Sequence, residues 1–140
     1  MGEVTISATA LQVLRSHGER DYPHEACGLL LGNARNGSLS IDESFPVRNL
    51  NEERARDRYD LDPKGQLDAD RRARATGRDV VGVYHSHPDH PAAPSETDRS
   101  HAYPEWVYLI VSVAGGRAAA VGAFVLGDDE RFSEVGIAAS

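Results

Sequence analysis

Length, charge and cysteine content restrict the kinds of protein this chain can be. Its 140 residues carry a formal net charge of -7 and a single cysteine. This length is typical of one compact domain, so we expect residues 1–140 to form a single domain. The acidic surplus argues against nucleic acid as a partner, because phosphates call for a basic face. With no apolar leader and no stretch near the ~18 apolar residues of a membrane span, we expect a cytoplasmic protein without a membrane partner or an internal disulfide.

The first part of the sequence predicts one helix and two strands. Ser7 can cap a helix that runs through Arg20. Apolar runs predict strands at residues 26–31 and at about 38–49, joined by a hairpin-like turn over residues 33–37. The apolar side of the helix would be formed by Ala10, Leu11 and Leu14.

The second part predicts a further helix and several strands. Asp62 is suited to be the N-cap of a helix, and Pro63 its first residue. We expect this helix to end near Thr76 and its run of charged residues to face solvent. The run at residues 79–84 is rich in β-branched and aromatic residues and predicts a buried strand. We therefore expect an α/β fold in which helices flank a mixed sheet. The remaining extended segments would be residues 58–61, 106–113, 118–126 and, as one edge strand, 132–137.

The most informative residues follow the strand at 79–84. Side chains two apart on an extended segment point the same way, so His85 and His87 can converge on one point while Ser86 faces away. A proline-rich loop then leads to Ser95, which has the pattern of a helix N-cap with Asp98 at the third helical position. Asp98 would thus lie in the first turn of a helix whose start faces the two histidines.

These side chains have the chemistry of a zinc site. Zinc binds imidazole nitrogen and carboxylate oxygen in a tetrahedron, so His85, His87 and Asp98 would leave the fourth position open, as a catalytic site requires. Water in such a position ionises at a pKa of about 7 in the best-known cases. Hydrolysis also needs a base, and the candidate is Glu25, at the start of the first predicted strand.

The spacing resembles that of a known enzyme family. A Glu upstream, then His-Ser-His, seven residues, Ser, two residues and Asp is the motif of the JAMM or MPN-plus zinc metalloproteases, and the flanks Glu25-Ala-Cys-Gly-Leu-Leu-Leu-Gly32 and Gly82-Val-Tyr-His-Ser-His-Pro88 are also typical. The resemblance implies zinc ligands His85, His87 and Asp98, with Glu25 as the general base. It also implies that Ser95 donates to the oxyanion, besides capping a helix.

The same resemblance carries expectations about fold and substrate. It implies the curved MPN/JAB sheet, of the cytidine-deaminase-like class, with the metal at one edge. The compact length is similar to that of the prokaryotic members, which process ubiquitin-like sulfur-carrier proteins. The implied reaction is hydrolysis of a peptide or isopeptide bond after the Gly-Gly tail of a small β-grasp protein, while the oligomeric state stays undetermined by the sequence.

Three other hypotheses are weighed against this one. A non-catalytic MPN scaffold would have lost ligands that are all present here, and a small-molecule zinc deaminase would need cysteine ligands that one cysteine cannot supply. Cys27 as a nucleophile is disfavoured, because it lies within an apolar strand run where free cysteine behaves as a buried hydrophobe. The remaining histidines are expected to face solvent: His17, His24, His90 and His101. His90 lies in the loop between the metal ligands, so it could also contact the substrate or a metal ligand.

Overall fold

The computed structural model describes residues 3–100 and 102–140. It contains a long eight-stranded sheet and three helices. In chain order the elements are β1 (Val4–Ile6), α1 (Ala8–Asp21), β2 (Cys27–Arg35), β3 (Ser38–Val47), α2 (Pro63–Ala75), β4 (Asp79–Pro88), α3 (Glu96–Ser100), β5 (Val107–Ala114), β6 (Arg117–Leu126), β7 (Phe132–Val135) and β8 (Ile137–Ala139).

The sheet is mixed and curved, which confirms the predicted fold class. Its strand order is β7-β6-β5-β4-β2-β3-β1-β8. The pairs β4 with β5, β1 with β3 and β1 with β8 are parallel, and the remaining pairs are antiparallel. Only Gly136 separates β7 from β8, yet these two strands lie at opposite edges of the sheet. The sheet must therefore curl round until its two edges approach each other.

At the ends of the chain, one prediction is wrong and one strand was missed. The segment 132–137 was expected to be a single edge strand, but β7 pairs with β6 and the chain then crosses at Gly136 to pair β8 with β1. Strand β1, only three residues long, was not predicted at all, because a periodicity of two cannot be read from so few residues. Both errors concern pairings between distant parts of the sequence.

Helix α1 covers one face of the sheet as predicted. The Ser7 side chain accepts a hydrogen bond from the amide of Ala10, which caps the helix, and Ala10 and Leu14 are buried in the core. The helix approaches the sheet closely at Gly18, where an added Cβ would lie 3.0 Å from a methyl group of Val113. Leu30 of β2 belongs to this core.

Helix α2 covers the opposite face. Asp62 caps it through the amide of Lys64, and its buried residues Ala69 and Ala73 pack in a cluster with Leu29 and Leu31 of β2. Leu30 points to the opposite face, into the core beneath α1, as the alternation of side chains along a strand requires. Of the charged residues at positions 68–74, Asp70 is half-buried and the others are exposed, which confirms the prediction of a solvated face. The exposed ones are Asp68, Arg71, Arg72 and Arg74.

His17 is buried, so the expectation that it faces solvent is wrong. It lies one helical turn beyond Leu14 on the apolar side of α1, where its Nδ1 is 2.7 Å from the hydroxyl of Tyr84 and its Nε2 is 3.1 Å from Asp21. These polar partners make burial of the ring possible. His24 and His90 are exposed as predicted, and His101 lies outside the described residues.

Within residues 3–100 and 102–140, no helix is long and apolar enough to cross a membrane.

Candidate metal centre

The two histidines lie inside β4, near the middle of the sheet. The strand extends beyond the predicted boundary to Pro88, and it pairs with β2 on one side and with β5 on the other. His85 and His87 project from one face of the strand, while the hydroxyl of Ser86 accepts a hydrogen bond from the amide of Ala26 at 2.8 Å. Because its neighbouring strands fix β4 along its length, the two imidazoles are held in a rigid frame.

Asp98 reaches the histidines from α3. Ser95 caps this short helix: its hydroxyl accepts from the amide of Asp98 at 3.1 Å, and the carboxylate of Asp98 accepts from the amide of Ser95 at 2.8 Å. This reciprocal pair is a capping box, and Asp98 is at the predicted third helical position. The cap therefore fixes the direction of the carboxylate as well as the start of the helix.

The three side chains come within hydrogen-bonding distance of one another. The Nε2 atoms of His85 and His87 are 3.1 Å apart, and they lie 3.2 Å and 3.1 Å from the two carboxylate oxygens of Asp98. In a tetrahedron with zinc–ligand distances of about 2.0–2.2 Å, neighbouring ligand atoms are about 3.3–3.6 Å apart. The nitrogen–nitrogen distance and the two nitrogen–oxygen distances, each to a different carboxylate oxygen, are close to this value. His85, His87 and Asp98 could therefore hold a small divalent cation and leave one direction open.

The protonation states of Asp98 and His85 suit a cation. Burial raises the pKa of Asp98, but hydrogen bonds from His85 and His87 outweigh burial and lower it, so the carboxylate is anionic. Burial lowers the pKa of His85 and favours the neutral ring. Burial lowers the pKa of His87, but its hydrogen bonds to Asp98 and Pro91 outweigh burial and raise it. His87 donates from Nδ1 to the carbonyl of Pro91 at 2.9 Å, which leaves its Nε2 lone pair facing the cluster when the ring is neutral.

Glu25 lies beside this cluster with an unusual pKa. The register of β2 against β4 ends at the pair Cys27 and His85, and Glu25 precedes Cys27 by two residues. The carboxyl group of Glu25 interacts electrostatically with His87 and Asp98. Its exposed fraction is 5%, and its Oε1 has no hydrogen-bond partner among the described residues. Burial raises the pKa of Glu25 to about 8, although the charge of His87 opposes this. A carboxyl group with a pKa near neutrality can both accept and release a proton at pH 7.

Cys27 does not have the environment of a nucleophile. It is fully buried, and its thiol points to the carbonyl of Val47 at 3.7 Å. Burial raises the pKa of Cys27 to about 12, whereas a reactive cysteine needs a lowered one. The structure thus supports the interpretation of Cys27 as a small buried hydrophobe.

Two residues that border the site were missed in the sequence analysis. Tyr59 stacks on the ring of His85, with 4.6 Å between the ring centroids and 24° between the planes. Asn49 bonds both to the segment that carries Tyr59 and to the carbonyl of Glu25. Residues 50–57 lack regular structure and show no periodicity, so the only available signal was the short extended segment at 58–61, which pairs through Leu61 with Asn49.

A cavity of about 540 Å³ opens beside Asp98. It lies between the segment 51–61 on one side and residues 97–108 on the other. Charged side chains such as Arg54 and Arg58 stand at the cavity, and its apolar walls are mostly aromatic rings, from Tyr59, Tyr103, Trp106 and Tyr108. A molecule in this cavity would contact the metal cluster through Asp98.

The chain is similar in sequence to one protein family and to named peptidases. Residues 7–124 match the family described as prokaryotic homologs of the JAB domain. The desampylase of Haloferax volcanii is 36% identical over 117 residues, which cover 80% of this chain and 82% of desampylase. The CysO-cysteine peptidase of Mycobacterium tuberculosis is 36% identical over 110 residues, covering 78% and 73% of the two chains.

The fold is also similar to that of a solved structure. The solution structure of a Desulfitobacterium hafniense protein matches with a TM-score of 0.86 and 29% identity, over 98% of this chain and 92% of that one. The family match spans Glu25, β4 and α3, so it includes every residue that carried the resemblance to the JAMM metalloproteases. On this ground, the chain belongs to the prokaryotic JAB family, the compact branch of the JAMM enzymes.

Proposed function

We propose that this protein is a zinc-dependent peptidase that cleaves after the Gly-Gly tail of a small ubiquitin-like sulfur carrier. The observation that carries the proposal is the convergence of His85, His87 and Asp98 beside the buried carboxyl group of Glu25. The names of the relatives, desampylase and CysO-cysteine peptidase, support a protein conjugate as the substrate. The bond would be a peptide or an isopeptide bond.

Each side chain has a role in this proposal. His85, His87 and Asp98 would hold the zinc, which when bound would act as a Lewis acid and lower the pKa of water. Glu25 accepts the proton of the attacking water and delivers it to the leaving nitrogen, for which its raised pKa is suitable. The hydroxyl of Ser95 accepts from the amide of Asp98, so its own hydrogen stays available to donate to the developing oxyanion.

The cavity beside Asp98 is suited to an extended tail. Its volume of about 540 Å³ accommodates a short peptide but no folded domain. Glycine has no side chain, so a Gly-Gly segment can bring its backbone close to the cluster between aromatic walls such as Tyr59 and Trp106. The folded part of the carrier would then stay outside the cavity.

The first prediction concerns zinc content. The purified protein should bind close to one zinc ion per chain, and His87→Ala should lose most of it, because two remaining ligands hold zinc poorly. His90→Ala is the matched control, since His90 is an exposed histidine of the following loop. Metal analysis that finds full zinc in folded His87→Ala would contradict the ligand assignment.

The second prediction concerns the base. Glu25→Gln should keep its fold and its zinc but lose turnover by a factor on the order of 10²–10⁴, because an amide cannot accept the proton. The exposed Glu53→Gln serves as the control and should turn over like the parent. Should Glu25→Gln retain the parental kcat, another group must act as the base.

The third prediction concerns the substrate. A small β-grasp carrier with residues after its Gly-Gly pair should be shortened immediately after the second glycine, and 1,10-phenanthroline should stop the reaction. A bulkier residue in place of that glycine would move the scissile carbonyl away from the cluster and slow the cleavage. Mass spectrometry of the carrier before and after incubation measures the shortening. Intact carriers after prolonged incubation with the zinc-loaded protein would favour a non-catalytic scaffold.

A further inference from the structure

The two histidines of the cluster are held in different ways. His87 is oriented by a hydrogen bond from its Nδ1 to the carbonyl of Pro91. His85 is completely buried, and its Nδ1 has no hydrogen-bond partner among the described residues. A histidine that binds a metal through Nε2 is usually oriented by a hydrogen bond at its other nitrogen. The ring of His85 therefore needs another constraint.

Tyr59 provides a constraint of a different kind. Its ring lies almost parallel to that of His85, with 4.6 Å between the centroids and 24° between the planes. Offset stacking at this distance is a favourable aromatic arrangement. Rotation of the imidazole about its bond to Cβ would break the stack and move Nε2 away from Asp98. The face of Tyr59 can thus orient the imidazole where no hydrogen bond does so.

Asn49 fixes the backbone on both sides of Tyr59. Its Nδ2 donates to the carbonyl of Arg58 at 3.1 Å, and its Oδ1 accepts from the amide of Asp60 at 3.0 Å. The same Nδ2 donates to the carbonyl of Glu25, also at 3.1 Å. One amide side chain therefore connects the backbone around Tyr59 to the backbone of Glu25, the candidate base, just before β2.

Main-chain hydrogen bonds also hold the segment that carries Tyr59. The amide of Leu50 donates to the carbonyl of Asp60 at 2.9 Å, and the amide of Asp62 donates to the carbonyl of Arg48 at 3.1 Å. Tyr59 thus lies on an extended segment that pairs with residues directly after β3, rather than on a free loop. This support gives the ring a defined place over His85.

We propose that Tyr59 is a positioning residue that orients the imidazole of His85 for metal binding, and that Asn49 holds Tyr59 in place. The inference rests on the proposed zinc site. It assigns a role to the segment 49–61, which contributes no metal ligand. The role belongs to the face of the aromatic ring and does not require the hydroxyl of Tyr59.

Zinc affinity measured by competition with a chromophoric chelator tests the proposal, together with the visible spectrum of the cobalt-substituted protein. Tyr59→Leu should bind zinc about 10–100-fold more weakly, as when other residues that orient metal ligands are lost, and should alter the cobalt spectrum. Tyr59→Phe keeps the ring and should bind like the parent. Tyr103→Leu removes an exposed aromatic ring of the same cavity and is the matched control for zinc affinity.

Asn49→Asp is the second variant. It has nearly the same shape as asparagine but loses both hydrogen bonds from Nδ2, so zinc affinity should fall and the cobalt spectrum should shift in the same direction. Circular dichroism establishes which variants fold.

Several results would overturn the proposal. The first is parental zinc affinity in folded Tyr59→Leu, and the second is a loss of zinc affinity in Tyr59→Phe as large as that in Tyr59→Leu. The third applies when Tyr59→Leu does not fold, and is parental zinc affinity in Asn49→Asp. Failure of both Tyr59→Leu and Asn49→Asp to fold would also overturn it, because the two residues would then be general structural residues. A parent protein that binds no zinc would instead contradict the proposed function, so the two failures are distinguishable.

Discussion

The attraction between the carboxylate of Asp98 and two buried imidazoles is the interaction on which the candidate site depends. It connects α3, a helix of five residues, to the central strand β4. A carboxylate and two imidazoles are costly to bury without partners, so their arrangement is stable only when each has a counterpart. A bound cation would be the strongest such counterpart. The capping box at Ser95 and the fixed register of β4 keep these groups at about 3.1–3.2 Å from one another.

Around this interaction, the sheet supplies rigidity and the irregular segments supply chemistry. β2 and β5 fix β4 on both sides. Glu25, two residues before β2, interacts electrostatically with His87 and Asp98. The segment after β3 has no regular structure, yet Asn49 connects it to Glu25 and holds it beside His85. Residues on loops that a rigid scaffold positions commonly carry binding and catalysis, and the cavity beside Asp98 lies between two such segments.

The sequence predicted those features that depend on short spacing. The caps at Ser7, Asp62 and Ser95, the helices that follow them and the convergence of His85, His87 and Asp98 all arise from residues a few positions apart. Features that depend on distant pairing were missed or wrong. The split of the last strand between two sheet edges, the burial of His17 against Tyr84 and the stacking of Tyr59 on His85 each need a partner far away in the chain. No local pattern encodes such a partner.

The most direct test of the account is a crystal structure of the zinc-loaded protein with anomalous diffraction measured at the zinc absorption edge. The account predicts one strong anomalous peak per chain, in contact with Nε2 of His85, Nε2 of His87 and the carboxylate of Asp98, with a solvent molecule as the fourth ligand. A zinc ion bound elsewhere would contradict it. So would a zinc ion at the cluster enclosed by four protein ligands, because the site would then be structural and not catalytic.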